Sequence, residues 1–203
     1  MIPAKIRLSP AELELVRQPD WILTKNRVLQ KTRSLLEQVW QAQHEYLQTR
    51  PANLPAEIFT RPGKISRGEN YKGLPYLVLD HPRFFGKENV FAIRTFFWWG
   101  NFFSTTLHCS GIFKTSFEKK AFQLYDRIAA DGIYACIHAE EWEHHFENDN
   151  YRPVAAMQVS EWTSLVNEKP FIKLAQKFSL DDWEAMPQQL MESWRRLLGY
   201  TMI

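Results

Sequence analysis

The sequence predicts a single α+β domain over residues 1–203, in which helices at both ends of the chain pack on a small, mostly antiparallel sheet of about four or five strands. Three observations indicate this class. The chain has 203 residues and is 45% hydrophobic, which suits one large domain with a sizeable core. Apolar residues recur at helical spacing near both ends of the chain. Apolar runs typical of strands lie between them.

Residues 1–50 are predicted to be helical. Ser9, Pro10 and Glu12 have the spacing of a capping box with proline in the first turn, which is typical of a helix N-terminus. A second helix is expected from about residue 24 to residue 50, and it would be ~40 Å long, comparable to the width of the domain. Its apolar stripe consists of Val28, Leu29, Leu35, Leu36, Val39, Trp40, Tyr46 and Leu47.

Residues 51–75 are expected to form a long surface loop, because they contain four prolines and three glycines. The segment 61–73 within it carries four basic residues and one glutamate. Its glycines leave backbone N–H groups accessible to an anion. This segment, with Arg67 and Tyr71, is therefore a candidate site for a small anionic ligand. The alternative is a solvated loop. The segment lacks the Gly-Lys-Ser/Thr ending of a P-loop, which argues against a nucleoside triphosphate site.

Residues 75–159 are predicted to contain the sheet and one helix. Strands are expected at 76–79, 90–99 and 102–110, and Gly100-Asn101 suits a tight hairpin turn between the last two. With these two residues as the loop, Trp99 would pair with Phe102 and Arg94 with Leu107. A loop that is longer by one residue would change the cross-strand partner of every residue in the hairpin.

The remaining predicted elements of this region follow the hairpin. A helix is expected over 116–131, then a strand over 133–138, with a further strand at 154–159 as an option. The helix could also serve as a parallel crossover, and the sheet would then be mixed.

The hairpin tip is unusually aromatic, since six aromatic residues lie between Phe96 and Phe103. Because side chains alternate along a strand, both faces of the hairpin are apolar. Helices covering both faces are the first interpretation. The second is self-association, or contact with a ligand, through Trp98 and Trp99. A membrane contact is not expected, because no basic amphipathic helix flanks the hairpin.

Arg94 and His108 lie on the same hairpin and are predicted to contact a ligand. An arginine among aromatic residues should find a carboxylate or an anionic ligand, because an unpaired buried charge is very costly. We therefore expect these two side chains near the floor of a pocket.

The densest group of polar residues occurs at 138–151, with three of the six histidines and several acids. Imidazole and carboxylate groups suit zinc, iron or manganese, so His138, His144, His145 and Glu141 are candidate ligands of a divalent metal. The familiar spacings of zinc proteases and di-iron proteins are missing. A solvated acidic loop without a cofactor is the alternative.

Residues 160–203 are predicted to be helical. Pro170 opens a segment with apolar residues at helical spacing, and Pro187 opens a last helix that ends at Gly199. The apolar residues of the first segment are Phe171, Leu174, Ala175 and Phe178.

The charge and the cysteine content limit the classes of function that the sequence allows. The chain has 25 Lys and Arg against 23 Asp and Glu, too balanced for a protein whose whole surface binds nucleic acid. Cys109 and Cys136 lie in apolar runs and are expected to be reduced thiols of a cytoplasmic protein. No secretory signal and no apolar segment of the ~20 residues that a membrane helix needs is evident.

These observations predict a homodimeric ligand-binding or protein-interaction module that uses the aromatic hairpin and the nearby basic loop. A metal-dependent enzyme built on the 138–147 cluster is the first alternative. Binding of single-stranded nucleic acid through exposed aromatic rings is the second.

Overall fold

A computed structural model describes residues 6–49, 55–59 and 61–201 of the chain. Within these residues the fold is α+β, as predicted, with five α-helices and one sheet. Three single-turn 3₁₀ helices connect the main elements. The α-helices are α1 (Pro10–Arg17), α2 (Asp20–Thr49), α3 (Ile112–Ala130), α4 (Val159–Glu168) and α5 (Met186–Gly199).

The described part of the sheet has seven strands rather than the four or five predicted, in the order β1-β2-β3-β4-β7-β5-β6. Every neighbouring pair among these strands is antiparallel, so the mixed sheet does not occur there. The strands are β1 (Lys64–Tyr71), β2 (Leu74–Phe85), β3 (Val90–Trp98), β4 (Phe102–Ser110), β5 (Tyr134–Cys136), β6 (Tyr151–Pro153) and β7 (Phe171–Ser179).

Three segments differ in type from their prediction. Strand β1 lies inside the predicted loop 51–75, of which residues 51–54 and 60 fall outside the described residues. Strand β7 replaces the helix predicted after Pro170. A strand buried on both faces is apolar at nearly every position, so its apolar residues also match a helical period over a short stretch. The optional strand at 154–159 is instead a 3₁₀ turn followed by the start of α4.

The register of the β3–β4 hairpin also differs from the prediction. The loop has three residues, Trp99 to Asn101, so Trp98 pairs with Phe102 and Arg94 with Thr106. Gly100 supplies the positive φ of 71° that this turn requires. Because side chains alternate with a period of two, the shift exchanges the faces of one strand. It brings Arg94 and His108 to the same face of the sheet.

The helices cover the opposite face of the sheet. The N-terminal prediction is confirmed, since Ser9 and Glu12 form a reciprocal capping box at the start of α1. Helix α2 buries part of the predicted apolar stripe, including Leu36 and Val39, against the sheet and α5. Trp162 of α4 and Trp194 of α5 are fully buried between the helices and the strands. No helix of the described residues is long and apolar enough to cross a membrane.

The second face of the sheet is covered by an irregular segment rather than by a helix. Residues 137–150 form neither helix nor strand, and we call them the covering loop. Contacts from His144 to Phe96 and from Phe146 to Phe102 show that this loop lies on the sheet. We call this side of the sheet the covered face.

Candidate functional site

The strand register places charged and small side chains side by side on the covered face. In one row across the sheet, Asp80 pairs with Arg94, Arg94 with Thr106, and Thr106 with Ala175. Within this row the ion pair of Asp80 and Arg94 is followed by two small residues, and the row continues to Tyr134 of β5.

The next row supplies a histidine and a lysine. Ala92 pairs with His108, and His108 pairs with Lys173 of β7. Both polar side chains are buried, at 5% and 1% relative exposure. Lys173 lies far from His108 in the sequence, so only the strand pairing brings the two groups together.

Asp80 and Arg94 form a bidentate ion pair. The guanidinium Nε lies 2.7 Å from Oδ1 of Asp80, and Nη2 lies 3.0 Å from Oδ2. The remaining Nη1 lies 3.1 Å from Nε2 of His144 in the covering loop. Because a guanidinium only donates, this Nε2 must accept the hydrogen bond, and the His144 ring is neutral with its proton on Nδ1. Burial lowers the pKa of His144, which agrees with a neutral ring.

His108 donates to a carboxylate of the covering loop. Its Nε2 lies 2.9 Å from Oε2 of Glu141. Burial, with smaller contributions from Lys173 and Arg94, lowers the pKa of His108 to about 3, so the ring is neutral at pH 7. Burial also raises the pKa of Glu141. Displacement of Glu141 would leave the His108 Nε2–H free to donate to another acceptor.

Lys173 is a buried cation that forms no ion pair with a carboxylate among the described residues, although Glu141 and Glu143 lie near enough to favour its charged form. Its Nζ donates to the carbonyl oxygen of Glu143 at 2.5 Å and lies 5.3 Å from the centre of the Tyr151 ring. Burial is the main cause that lowers the pKa of Lys173 to about 8. Fully buried lysines are rare unless they are paired, because removing an ammonium from water is costly.

Tyr71 at the end of β1 fastens the covering loop to the sheet. Its hydroxyl donates to Oε2 of Glu143 at 2.9 Å. The same oxygen accepts the backbone N–H groups of His144 and His145 at 2.8 and 3.0 Å. One side chain therefore holds three consecutive residues of the loop.

Trp142 covers the charged groups from the solvent side. Its side chain is 47% exposed. Its ring centre lies 5.3 Å from that of His108 and 6.3 Å from that of Phe85, and the Arg94 guanidinium lies 5.9 Å from it. A movement of Trp142 would therefore open the site to solvent.

The structure brings several of the predicted ligand-binding residues together. Arg94 and His108 lie at the centre of the covered face, and Tyr71 holds the loop above them. Sequence reasoning missed Asp80 and Lys173. A lysine inside the apolar run of residues 171–175 was the one available signal for the second.

Of the other three predicted ligand-binding residues, one borders this cluster and two lie apart from it. Arg67 is exposed and pairs with Glu69. Trp98 borders the cluster, because its ring centre lies 5.1 Å from that of Tyr71. Trp99 lines a groove of about 610 Å³ that also contains Trp21.

The aromatic hairpin is mostly buried. Trp98 is 7% exposed, and its indole N–H donates to the carbonyl of Tyr71. Phe96, Phe97 and Phe103 are buried as well. Rings at these positions are unavailable for base stacking in this conformation. Self-association through the hairpin stays a prediction.

The predicted metal ligands do not converge on one point. His144 is engaged by Arg94, and Glu141 by His108. Nδ1 of His138 accepts the backbone N–H of Glu140 at 3.0 Å. Each of these pairings occupies one donor atom of a predicted ligand.

One set of donor atoms in the described part of the chain could hold a metal ion. Atoms of His145, Glu147 and Asp149 lie within 4.8 Å of one another. His145 is buried, and both acids are exposed. Nδ1 of His145 also accepts the backbone N–H of Glu147 at 3.4 Å. This set shares only His145 with the predicted one.

We expect the free energy of unfolding to decrease as the pH falls from 7 towards 4. Burial, together with the nearby His44, lowers the pKa of His81 to about 4, and burial lowers that of His108 to about 3. An unfolded histidine takes up its proton near pH 6.5, so the unfolded chain binds more protons in this range and stability is lost on acidification. Each histidine contributes up to about 1.4 kcal/mol per pH unit. Urea unfolding at a series of pH values measures the slope.

A histidine variant separates this effect from the titration of carboxylates. His108→Gln keeps a donor to Glu141 but cannot titrate, so its slope between pH 6 and 5 should be smaller than that of the wild type by up to about 1.4 kcal/mol per pH unit. Equal slopes for the two proteins would contradict a neutral, buried His108.

Tyr71→Phe should loosen the covering loop while leaving the ring packing intact. The variant loses three hydrogen bonds of about 1 kcal/mol each, so we expect a loss of about 3 kcal/mol in stability. Amide hydrogen exchange at His144 and His145 should accelerate more than elsewhere. Tyr76→Phe is the matched control, because the Tyr76 hydroxyl has no hydrogen-bond partner among the described residues. Unchanged exchange at the two histidines would show that Tyr71 does not hold the loop.

Comparisons with known proteins give no relative from which a function could be carried over. No family model, no curated protein and no solved structure matches this chain. A function for this protein is therefore argued from its own side chains.

Proposed function

We propose that this protein binds a small organic anion between the covered face and the covering loop, with Arg94, His108 and Lys173 as the contacting side chains. The observation that carries this proposal is the buried ammonium of Lys173, which forms no ion pair with a carboxylate among the described residues. A buried charge without an ion pair destabilises the folded protein when no ligand is bound. Its presence therefore favours a role in which a ligand supplies the opposite charge.

The covering loop supports the proposal because it brings carboxylates to the site. Glu141 accepts the hydrogen bond of His108, and Glu143 lies beside Lys173 and Tyr71. At the centre of the covered face, the two cations Arg94 and Lys173 lie near the one strand carboxylate of Asp80. An incoming carboxylate could therefore take the place of Glu141 on His108 and reach Lys173 without leaving a donor unpaired.

Access to the site requires a movement of the loop alone. Trp142 and Glu141 belong to a segment without regular secondary structure, and Trp142 is half exposed. Loops of this kind open on microsecond to millisecond timescales in many binding proteins. The strands that carry the three contacting residues stay in place.

Calorimetric titration with succinate, oxalate and inorganic phosphate tests the proposal. We expect one equivalent of at least one of these anions to bind, and Lys173→Met to abolish the binding. Lys177→Met is the matched control, since Lys177 lies on the same strand and the same face but is exposed. Absence of binding for all three anions would overturn the proposal, and so would equal binding by the two variants.

A second candidate function is binding of a divalent cation at His145, Glu147 and Asp149, as part of a metal-dependent enzyme. The proximity of these three donor groups favours it. Elemental analysis of protein purified without a histidine tag, followed by titration with zinc and manganese, tests it. Loss of the bound metal in Glu147→Gln is the expected result. A wild-type protein that neither retains nor binds either metal would exclude this candidate.

A further inference from the structure

We propose that the anion is an oxo acid and that the amine of Lys173 condenses with its carbonyl group to form an imine. This inference rests on the proposed anion site and narrows its ligand to one chemical class. It also assigns Lys173 a covalent role that binding alone does not require.

The surroundings of Lys173 favour a reactive amine. An amine attacks a carbonyl only in its neutral form, and burial favours that form because it penalises the ammonium. Lys173 is 1% exposed, and this burial is the main cause that lowers its pKa; Arg94 acts in the same direction, whereas Cys136, Glu141 and Glu143 act in the opposite one. Its pKa of about 8 leaves a larger free-amine fraction at neutral pH than the ~10.4 of an ordinary lysine would.

Three donors converge on four consecutive residues of the covering loop, and their arrangement suits an oxo acid. His108 bonds to Glu141, Lys173 bonds to the carbonyl of Glu143, and Arg94 bonds to His144. A small molecule that takes the place of these loop groups would touch all three donors. Its carboxylate would accept hydrogen bonds from His108 and Arg94, and its carbonyl carbon would face Nζ of Lys173.

The reaction is balanced without an oxidant or a reductant. The neutral amine of Lys173 adds to the carbonyl carbon, so a C–N bond forms while the C=O π electrons move to oxygen. Both hydrogens of the amine then leave with that oxygen as water, and a C=N bond remains. The products are one imine and one water molecule. The ligand carboxylate is unchanged throughout.

Trapping with pyruvate and sodium cyanoborohydride tests the inference, because this reagent reduces an imine to a stable amine. Peptide mapping by mass spectrometry should locate one pyruvate-derived adduct at Lys173, at more than about tenfold the level at exposed Lys177. Lactate carries a hydroxyl in place of the carbonyl and should give no adduct. Lys173→Arg keeps the charge but should lose the adduct, whereas Lys177→Arg should keep it.

The outcomes separate this inference from the proposed anion site. Lactate that binds in a Lys173-dependent manner, combined with pyruvate adducts spread evenly over the exposed lysines, would overturn the imine and leave the anion site standing. Failure of both lactate and pyruvate to bind would overturn the imine, and it would overturn the anion site as well only if succinate, oxalate and phosphate also failed to bind. If Lys173→Arg does not fold, the adduct distribution in the wild-type protein still decides, because Lys177 is an internal reference.

Discussion

Arg94→Met should lower the free energy of unfolding by about 3–5 kcal/mol, because it removes one partner of a buried ion pair. The side chain of Asp80 is only 9% exposed and would lose the two hydrogen bonds that Arg94 now donates. The Nε2 atom of His144 would also lose its donor. Urea unfolding at neutral pH measures the loss.

A double variant shows whether the loss of stability comes from the Asp80 side chain that is left without its partner. Asp80→Asn combined with Arg94→Met removes both charges and should recover a substantial part of the stability. Arg33→Met breaks the exposed pair with Glu37 on α2 and should cost no more than about 0.5 kcal/mol. An Arg94→Met loss as small as that of Arg33→Met would contradict the buried pair.

Lys173→Met should have the opposite effect and stabilise the unliganded protein by about 2 kcal/mol. A pKa of about 8 in place of 10.5 corresponds to roughly 3 kcal/mol against the charged form. The variant removes that penalty and loses one hydrogen bond to Glu143, which is worth about 1 kcal/mol. Methionine has a similar length and packs in apolar surroundings. Urea unfolding at pH 7 gives the difference.

The exposed lysine on the same strand provides the comparison. Lys177→Met should change the stability by less than about 0.5 kcal/mol, because no burial penalty is relieved there. A Lys173→Met protein that is less stable than the wild type would show that Lys173 serves the fold rather than a ligand. A gain in stability with a loss of anion binding is the pattern of a residue kept for function.

Much of the fold could be predicted because its signals are local. The capping box of Ser9 and Glu12, the stripe of α2 and the aromatic hairpin each depend on neighbours within a few residues. The hairpin register could not be fixed, since a two-residue and a three-residue turn both suit Gly100-Asn101. A helix was predicted in place of strand β7, because the apolar residues of this segment match both the helical spacing and the continuous apolar pattern of a buried strand.

The candidate site was predictable only in part. Arg94 and His108 were expected at the floor of a pocket because they are polar residues in an aromatic hairpin. Lys173 was missed because its place beside His108 comes from the pairing of β7 with β4, and long-range pairing leaves no local pattern. The acidic 138–151 segment was read as a metal site or a solvated loop. Most of this segment belongs to the covering loop, residues 137–150, which lies on the covered face of the sheet.

A crystal structure of the protein with bound succinate would show whether the covered face binds an anion in place of loop carboxylates. We expect a ligand carboxylate within hydrogen-bonding distance of Nε2 of His108 and Nζ of Lys173, with Glu141 turned away. Succinate bound only elsewhere, such as the groove lined by Trp21 and Trp99, with the bond between Lys173 and Glu143 intact, would contradict it.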